Sequence, residues 1–403
     1  MQFRILVLLA WMAMIGIHVE AWAFKINPCL RRLTIKATGL DQAPIRKRNW
    51  LCPNAPPQLK SAVHEHMTMA AIGLYRGKNT WRTSHRDGQD VERSMHWAED
   101  GDWSKEPGLP VHRSAGIVYG TWWNDDPLMY LRGGDFVKGV FTFKDTMDKA
   151  SEEYQGGVLR CSVPAGQHLT RWSHYGALQH LHFQTQLLSK GPRKLTTPEE
   201  RLSSTVDLAL AWLEFAYAVA TKAEGRGAES PITSEDEKLL RLPSIALNLC
   251  LKRQPPNVLI RSLFTQQGAN GPKDLEARNA LTADVALGSM LHLLQDSFSP
   301  SHACRVEATV NGKTVAALRD VYNYAEQDKH DHGALDLYPT WLVKQVRTGE
   351  HRYSNDPVLV GAWLIEAVDR RRPWIEVREH LLSTAFLQDV SKTTAKQPCT
   401  TLN

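Results

Sequence analysis

The sequence predicts a mainly α-helical protein with small β-containing insertions, and three observations carry that reading. Apolar residues recur at helical spacing over long stretches, most of them in the C-terminal half. Loop-forming composition separates these stretches, at 223–237 and in the Pro-Pro segment 252–257. A single Asn-Gly pair, Asn311-Gly312, lies between two β-branched runs and predicts a tight hairpin over 305–320.

Taken in order, the chain opens on MQFRILVLLAWMAMIGIHVEA, with Arg4 ahead of an apolar run over 5–17 and small residues near its end. That is the pattern of a signal peptide over 1–21, with cleavage leaving either Trp22 or Phe24 at the new terminus. No later segment is continuously apolar for the roughly 20 residues that a spanning helix needs. The mature chain, 22–403, is therefore expected to be one exported helical domain, periplasmic or extracellular. VHEHMTMAAIGLY begins a helical run at His64. The stretch 101–171 has Gly-Gly pairs at Gly133 and Gly156, paired Trp122 and Trp123, and a β-prone run over 136–143. It is expected to be an irregular insertion with short strands that acts as a lid or interfacial element. Amphipathic helices follow at 203–222, 281–298, 357–370 and 374–389.

The composition sets limits on function. Of 403 residues, 42% are hydrophobic and 23% charged, which suits a globular protein rather than a disordered one. A net charge of +5 with scattered Lys and Arg describes a solvated surface better than a nucleic-acid groove. Six cysteines (Cys29, Cys52, Cys161, Cys250, Cys304, Cys399) allow up to three disulfides in an oxidising compartment. Cys29 with Cys52 is the favoured pair, since their Pro- and Arg-rich segment has little core of its own. None lies in a CxxC pair, which argues against zinc-finger and thioredoxin chemistry.

Chemistry-bearing residues concentrate in His- and carboxylate-rich clusters. In HLLQDSFSPSH, His292 and Asp296 are four apart and share a helical face, so both reach a common cation. Pro300 stops that helix, and His302 lies on the turn beyond, free to fold back. KHDHGALDLY repeats the spacing with His332 and Asp336, while His330 points elsewhere. Upstream, VHEHMT offers His64 and His66, HWAEDGDW offers Glu99, Asp100 and Asp102, and RWSHYGALQHLHF offers His174, His180 and His182. Imidazoles and carboxylates without thiolates suit catalytic zinc with open positions better than structural zinc.

The order of these motifs resembles the zinc-dependent phospholipase C and fungal-type single-strand nuclease superfamily. The resemblance rests on HxxxDxxxxxH, matched by His292, Asp296 and His302, followed by HxxxD at His332 and Asp336. It includes His64 seven residues before Ala71, Asp100 closing WAED, and His174 in His-Tyr-Gly. It implies a multi-helix fold of that type with two or three zinc ions at the bottom of a cleft. By that resemblance Asp100, His174, His292 and Asp296 surround one zinc, with Asp296 bridging to a neighbour. His302, His332 and Asp336 hold a second, and His64, Asp296 and the Trp22 terminus a third. Trp22 and His64 are 42 positions apart and the interval from Asp100 to His174 is long, both departures from the family pattern. If His174 is not the ligand, His182 takes its place.

The implied activity is hydrolysis of a phosphodiester by zinc-activated water, with Asp100 as the candidate proton acceptor and Glu99 and Asp102 as its competitors. A phospholipase C acting on phospholipid headgroups, with peripheral contact to a membrane surface, fits the mild charge and the aromatics Trp103, Trp122, Trp123 and Tyr130, for which core packing of the insertion is the alternative. A single-strand nuclease of the same superfamily is the alternative, and without it no stable nucleic-acid partner is expected. A non-catalytic zinc- or lipid-binding protein is the alternative of another class.

Overall fold

A computed structural model of the chain describes residues 63–75, 111–125, 173–174, 178–186, 196–240, 259–264, 275–326 and 352–389. The signal-peptide segment and the Cys29–Cys52 pair lie outside them. Cys304 is buried and disulfide-bonded, with its partner outside the described residues.

The described residues are mainly helical: α1 (Val63–Tyr75), α2 (Val111–Thr121), α3 (Pro198–Thr221), α4 (Ser234–Leu240), α5 (Ile260–Phe264), α6 (Leu275–Asp296), α7 (Pro357–Asp369) and α8 (Trp374–Ser383). A 3-10 turn spans Gln179–His182, and one hairpin joins β1 (Ala303–Val310) to β2 (Lys313–Val321).

Local chemistry explains where the helices start. Thr197 caps α3 by accepting from the Glu200 amide at 3.1 Å, the Glu200 carboxylate accepts from the Thr197 amide at 2.8 Å, and Pro198 occupies the first turn. Asp356 caps α7 by accepting from the amides of Val358 and Leu359. By length and composition α3 could cross a membrane, yet two-thirds of its apolar window is buried inside the protein, 67%. It is a core helix.

The middle of the molecule is α6, which packs on α1, α2, α3, α5 and α7. Val285, Ala286, Leu287, Met290, Leu291, Leu293 and Leu294 are all buried, so its last three turns are covered on every side. That coverage answers why polar residues at its C-terminal end are buried too. Its closest neighbour is α2. A Cβ added at Gly120 would lie 2.5 Å from the Val285 carbonyl oxygen, and one at Gly288 would lie 2.5 Å from the Gly120 Cα. Only glycine at both positions permits this backbone contact.

Two expectations need correction. Residues 111–125, inside the stretch expected to be an irregular lid, form α2 and the turn that follows it. Trp122 and Trp123 are 1% exposed and cannot anchor a membrane surface. The Trp122 indole donates to Glu65 Oε1 at 2.6 Å and that of Trp123 to the Leu263 carbonyl at 2.7 Å. Trp123 also stacks on Trp212, with ring centroids 5.1 Å apart. Burial with satisfied N–H groups makes them core residues. The β-prone run 136–143 lies outside the described residues. The second correction concerns 374–389: α8 stops at Ser383, and the chain then runs beside β2, with Leu318 N–H donating to the Leu387 carbonyl at 2.8 Å and Asp389 N–H to the Leu318 carbonyl at 2.7 Å. An open strand edge captured what periodicity alone would continue as helix.

The hairpin turn is Asn311-Gly312 with φ of 50° and 74°, the type I′ geometry that matches strand twist. The hairpin is tied to the end of α6 by Arg305, a buried side chain that donates to the Ser297 and Ala385 carbonyls at 2.6 Å each and lies over the Phe298 ring at 3.6 Å. The turn carrying His302 is thereby held against α6.

Candidate metal centre

Each histidine near the end of α6 makes one hydrogen bond away from a shared centre and turns its other ring nitrogen toward it. His292 Nδ1 donates to the Thr121 carbonyl at 2.6 Å, so Nε2 faces Asp296 Oδ2 at 2.9 Å. His182 Nε2 donates to the Asn124 carbonyl at 3.0 Å, leaving Nδ1 2.9 Å from Asp296 Oδ2 and 3.2 Å from His292 Nε2. His302 Nδ1 donates to the His182 carbonyl at 2.5 Å, and its Nε2 lies 3.9 Å from Asp296 Oδ1. His64 Nδ1 bonds Gln295 Oε1 at 2.9 Å, with Nε2 3.4 Å from Asp296 Oδ1. Four imidazoles thus converge on one carboxylate, and all five residues are buried.

Lone pairs at these separations repel unless a proton or a cation lies between them. Around a tetrahedral zinc with bonds of about 2.0–2.1 Å, neighbouring ligand atoms are about 3.3 Å apart. The contacts of His64, His182 and His292 with Asp296, 2.9–3.4 Å, lie close to that spacing. His64, His292 and Asp296 form one group that could hold a metal ion, and Asp125, His174 and His182 form another, with the ligand atoms of each group within 4.8 Å of one another. The groups adjoin: Asp125 lies 3.9 Å from His182 Nδ1 and 4.0 Å from His292 Nδ1. His174 packs on His182 with ring centroids 4.5 Å apart. Hydrogen bonds that orient a ligand's second nitrogen are the usual support of metal-binding histidines.

Protonation without a metal follows from the same packing. Burial, with some repulsion from His292, lowers His64 to about 3, and burial lowers His182 to about 4 against the pull of Asp296. His292 goes the other way: burial opposes its charge, but Asp296 and then Asp125 outweigh burial and raise it to about 9. Burial would raise Asp296, yet the surrounding imidazoles hold it well below the usual carboxylate range. In the metal-free protein the His292 proton therefore takes the place of a cation.

Several elements build this centre. α6 supplies His292 and Asp296 one turn apart. Its end tightens, with Phe298 N–H donating to Gln295 O and Ser299 N–H to Asp296 O, and a further turn at 299–302 brings His302 back. α1 supplies His64, stacked on His292 with centroids 3.9 Å apart. The 3-10 turn supplies His182. The segment after α2 is pinned by Asn124, which donates to the Leu181 carbonyl at 2.6 Å and accepts from Ser289 Oγ at 2.6 Å.

Of the residues singled out in the sequence, the structure brings together His64, His292, Asp296 and His302, with His174 beside them. His182, the stated substitute for His174, makes the direct approach to Asp296, and the two histidines occupy one cluster rather than competing for one place. Asp100, His332, Asp336, His330 and Trp22 lie outside the described residues. Asp125 and Gln295 were not foreseen. Asp125 stood in a stretch read as an insertion, and nothing in its local sequence marked it, since the burial of Trp122, Trp123 and Asn124 before it is set by tertiary packing. Comparisons with models of protein families, with curated proteins and with solved structures each found no match.

Proposed function

We propose that this protein is a zinc-dependent phosphodiesterase, most simply a phospholipase C acting on phospholipid headgroups. The observation that carries the reading is the convergence of four imidazoles, each anchored by a hydrogen bond on its outward nitrogen, on the Asp296 carboxylate. An imidazole-rich set with a carboxylate suits zinc, iron, copper or nickel better than magnesium or calcium, and zinc is the ion that phosphodiester hydrolysis by activated water calls for. His64, His292 and Asp296 would hold one ion, and Asp125, His174 and His182 a second. Bound zinc would supply a water of lowered pKa and offset charge on a phosphoryl oxygen.

The chain's own part is positional. Thr121, Asn124, His182 and Gln295 each take a ring hydrogen on the outward side and so turn the inward nitrogens toward a metal, which would displace the His292 proton. The Asp296 carboxylate has contacts at both oxygens, Oδ1 toward His64 and His302 and Oδ2 toward His182 and His292, which suits a bridging role. Asp125 is the second buried carboxylate at the cluster and a proton acceptor for an attacking water alongside the sequence candidate Asp100.

With Trp122 and Trp123 in the core, and Trp103 and Tyr130 outside the described residues, the preference for lipid over nucleic acid rests on the mild net charge. The test is hydrolysis of a soluble chromogenic phosphodiester, phosphatidylcholine vesicles and single-stranded DNA, each with and without chelator and zinc. Zinc-dependent turnover of the vesicles above that of DNA is expected. Faster turnover of DNA would move the assignment to the nuclease, and zinc binding without turnover of any substrate would make this a binding protein.

A further inference from the structure

Gln295 precedes the central carboxylate, and among the described residues its side chain hydrogen-bonds His64 and Thr68. Its side chain, 3% exposed, lies between two α1 residues one turn apart. Oε1 faces His64 Nδ1 at 2.9 Å, and Nε2 donates to Thr68 Oγ1 at 2.8 Å. Thr68 is fully buried. A primary amide offers an acceptor on one side and donors on the other, so the direction of one contact sets that of the other.

Two arrangements compete. With Nε2 on Thr68, the amide oxygen accepts from His64 Nδ1–H, and His64 Nε2 presents a lone pair toward Asp296 Oδ1. With the amide reversed, Nε2 would donate to His64 Nδ1, and the ring hydrogen would move to Nε2, where it would hydrogen-bond Asp296 and block a metal. We propose that Thr68 and Gln295 form a positioning relay that holds His64 in its Nδ1–H tautomer and so keeps His64 Nε2 open to a cation shared with Asp296. This rests on the metal-centre reading for its purpose, though not for its geometry. Gln295 is a positioning residue, since it acts only through His64. The other three histidines are oriented by backbone carbonyls, which cannot reverse. Of the four histidines that converge on Asp296, His64 is the one that depends on a side chain that can, and the Thr68 hydroxyl, which accepts from Nε2, steadies the amide in the direction seen.

The test compares wild type with Gln295→Met, Gln295→Glu and Thr68→Val. Long-range proton–nitrogen correlation of the histidine rings in chelated protein reads the tautomer directly, without metal or activity. Wild type should show His64 as the Nδ1–H form, and Gln295→Met should show a mixture or the Nε2–H form. Cobalt titration should then give an affinity lower by roughly tenfold to a hundredfold in Gln295→Met, with an altered visible spectrum, as for loss of a group that orients a metal ligand. Gln295→Glu retains an acceptor facing Nδ1 and should restore both readouts. Thr68→Val keeps Gln295 and should shift the tautomer in the same direction as Gln295→Met, which keeps the test available should Gln295→Met fail to fold. An unchanged His64 tautomer in Gln295→Met and Thr68→Val, or an unchanged cobalt spectrum and affinity in Gln295→Met, would overturn the relay. A wild type that holds the Nδ1–H form but binds neither cobalt nor zinc would sink the metal-centre reading while supporting the tautomer assignment.

Discussion

His292 donates its Nδ1 hydrogen to the Thr121 carbonyl oxygen at 2.6 Å, across the contact between α6 and α2. That bond exists because Gly120 and Gly288 let the two backbones touch, so site geometry and helix packing are one feature. Gly288→Ala would force a Cβ against the Gly120 Cα and push α2 outward. Overpacking of this kind costs about 1–3 kcal/mol. Urea unfolding of the chelated variant should show that loss, and zinc affinity should fall with it. Wild-type zinc affinity in a stably folded Gly288→Ala would separate the two features.

Asp296→Asn preserves shape and removes the charge toward which four imidazoles turn. Zinc content of the purified variant should drop to trace amounts and hydrolysis of the soluble phosphodiester to background. His292→Ala should do the same, whereas His330→Ala should keep most activity. Metal analysis beside the assay checks both, and full zinc content in Asp296→Asn would place the metal elsewhere.

Chelation should destabilise the fold, because bound metal stabilises only the folded state and its removal leaves charged and polar groups packed together. A melting temperature that a strong chelator does not move would count against any metal at this centre.

Without metal, stability should depend on pH in two windows. His64 and His182 have folded pKa values lowered from 6.5 to about 3 and about 4, so the unfolded chain binds more protons between those values and 6.5. Their contribution is complete above pH 6.5 and is lost as the pH falls, by up to about 1.4 kcal/mol per pH unit for each group. His292 is raised from 6.5 to about 9, so its contribution is present below pH 6.5 and is lost as the pH rises through 9. Urea midpoints of chelated protein from pH 4 to 10 should therefore form a dome. Saturating zinc should flatten the alkaline side, since a metal-bound His292 has no such proton to lose.

Trp122→Ala should cost about 3–5 kcal/mol, the usual penalty for deleting a buried large aromatic. Activity on vesicles and on a small soluble phosphodiester should fall in parallel, because the indole holds Glu65 and the core rather than a membrane. A selective loss on vesicles would restore the interfacial role.

The sequence by itself determined the helical class, the approximate extents of α3, α6 and α7, the hairpin turn and the pairing of His292 with Asp296. These are local properties: periodicity, capping at Thr197 and Asp356, the positive φ values that Asn311-Gly312 accepts, and the one-turn spacing of two ligands. Tertiary structure decided the rest. Whether Trp122 and Trp123 face lipid or core depended on the Gly120–Gly288 contact, which joins residues 168 positions apart and has no local signature. The end of α8 depended on an unfilled strand edge beside Leu318. The ring nitrogen that each histidine turns inward depended on the Thr121, Asn124 and His182 carbonyls and on the Gln295 amide. Periodicity reports which side of a helix a histidine occupies, but only a packed neighbour with a hydrogen-bond acceptor decides which of its nitrogens is left for a metal.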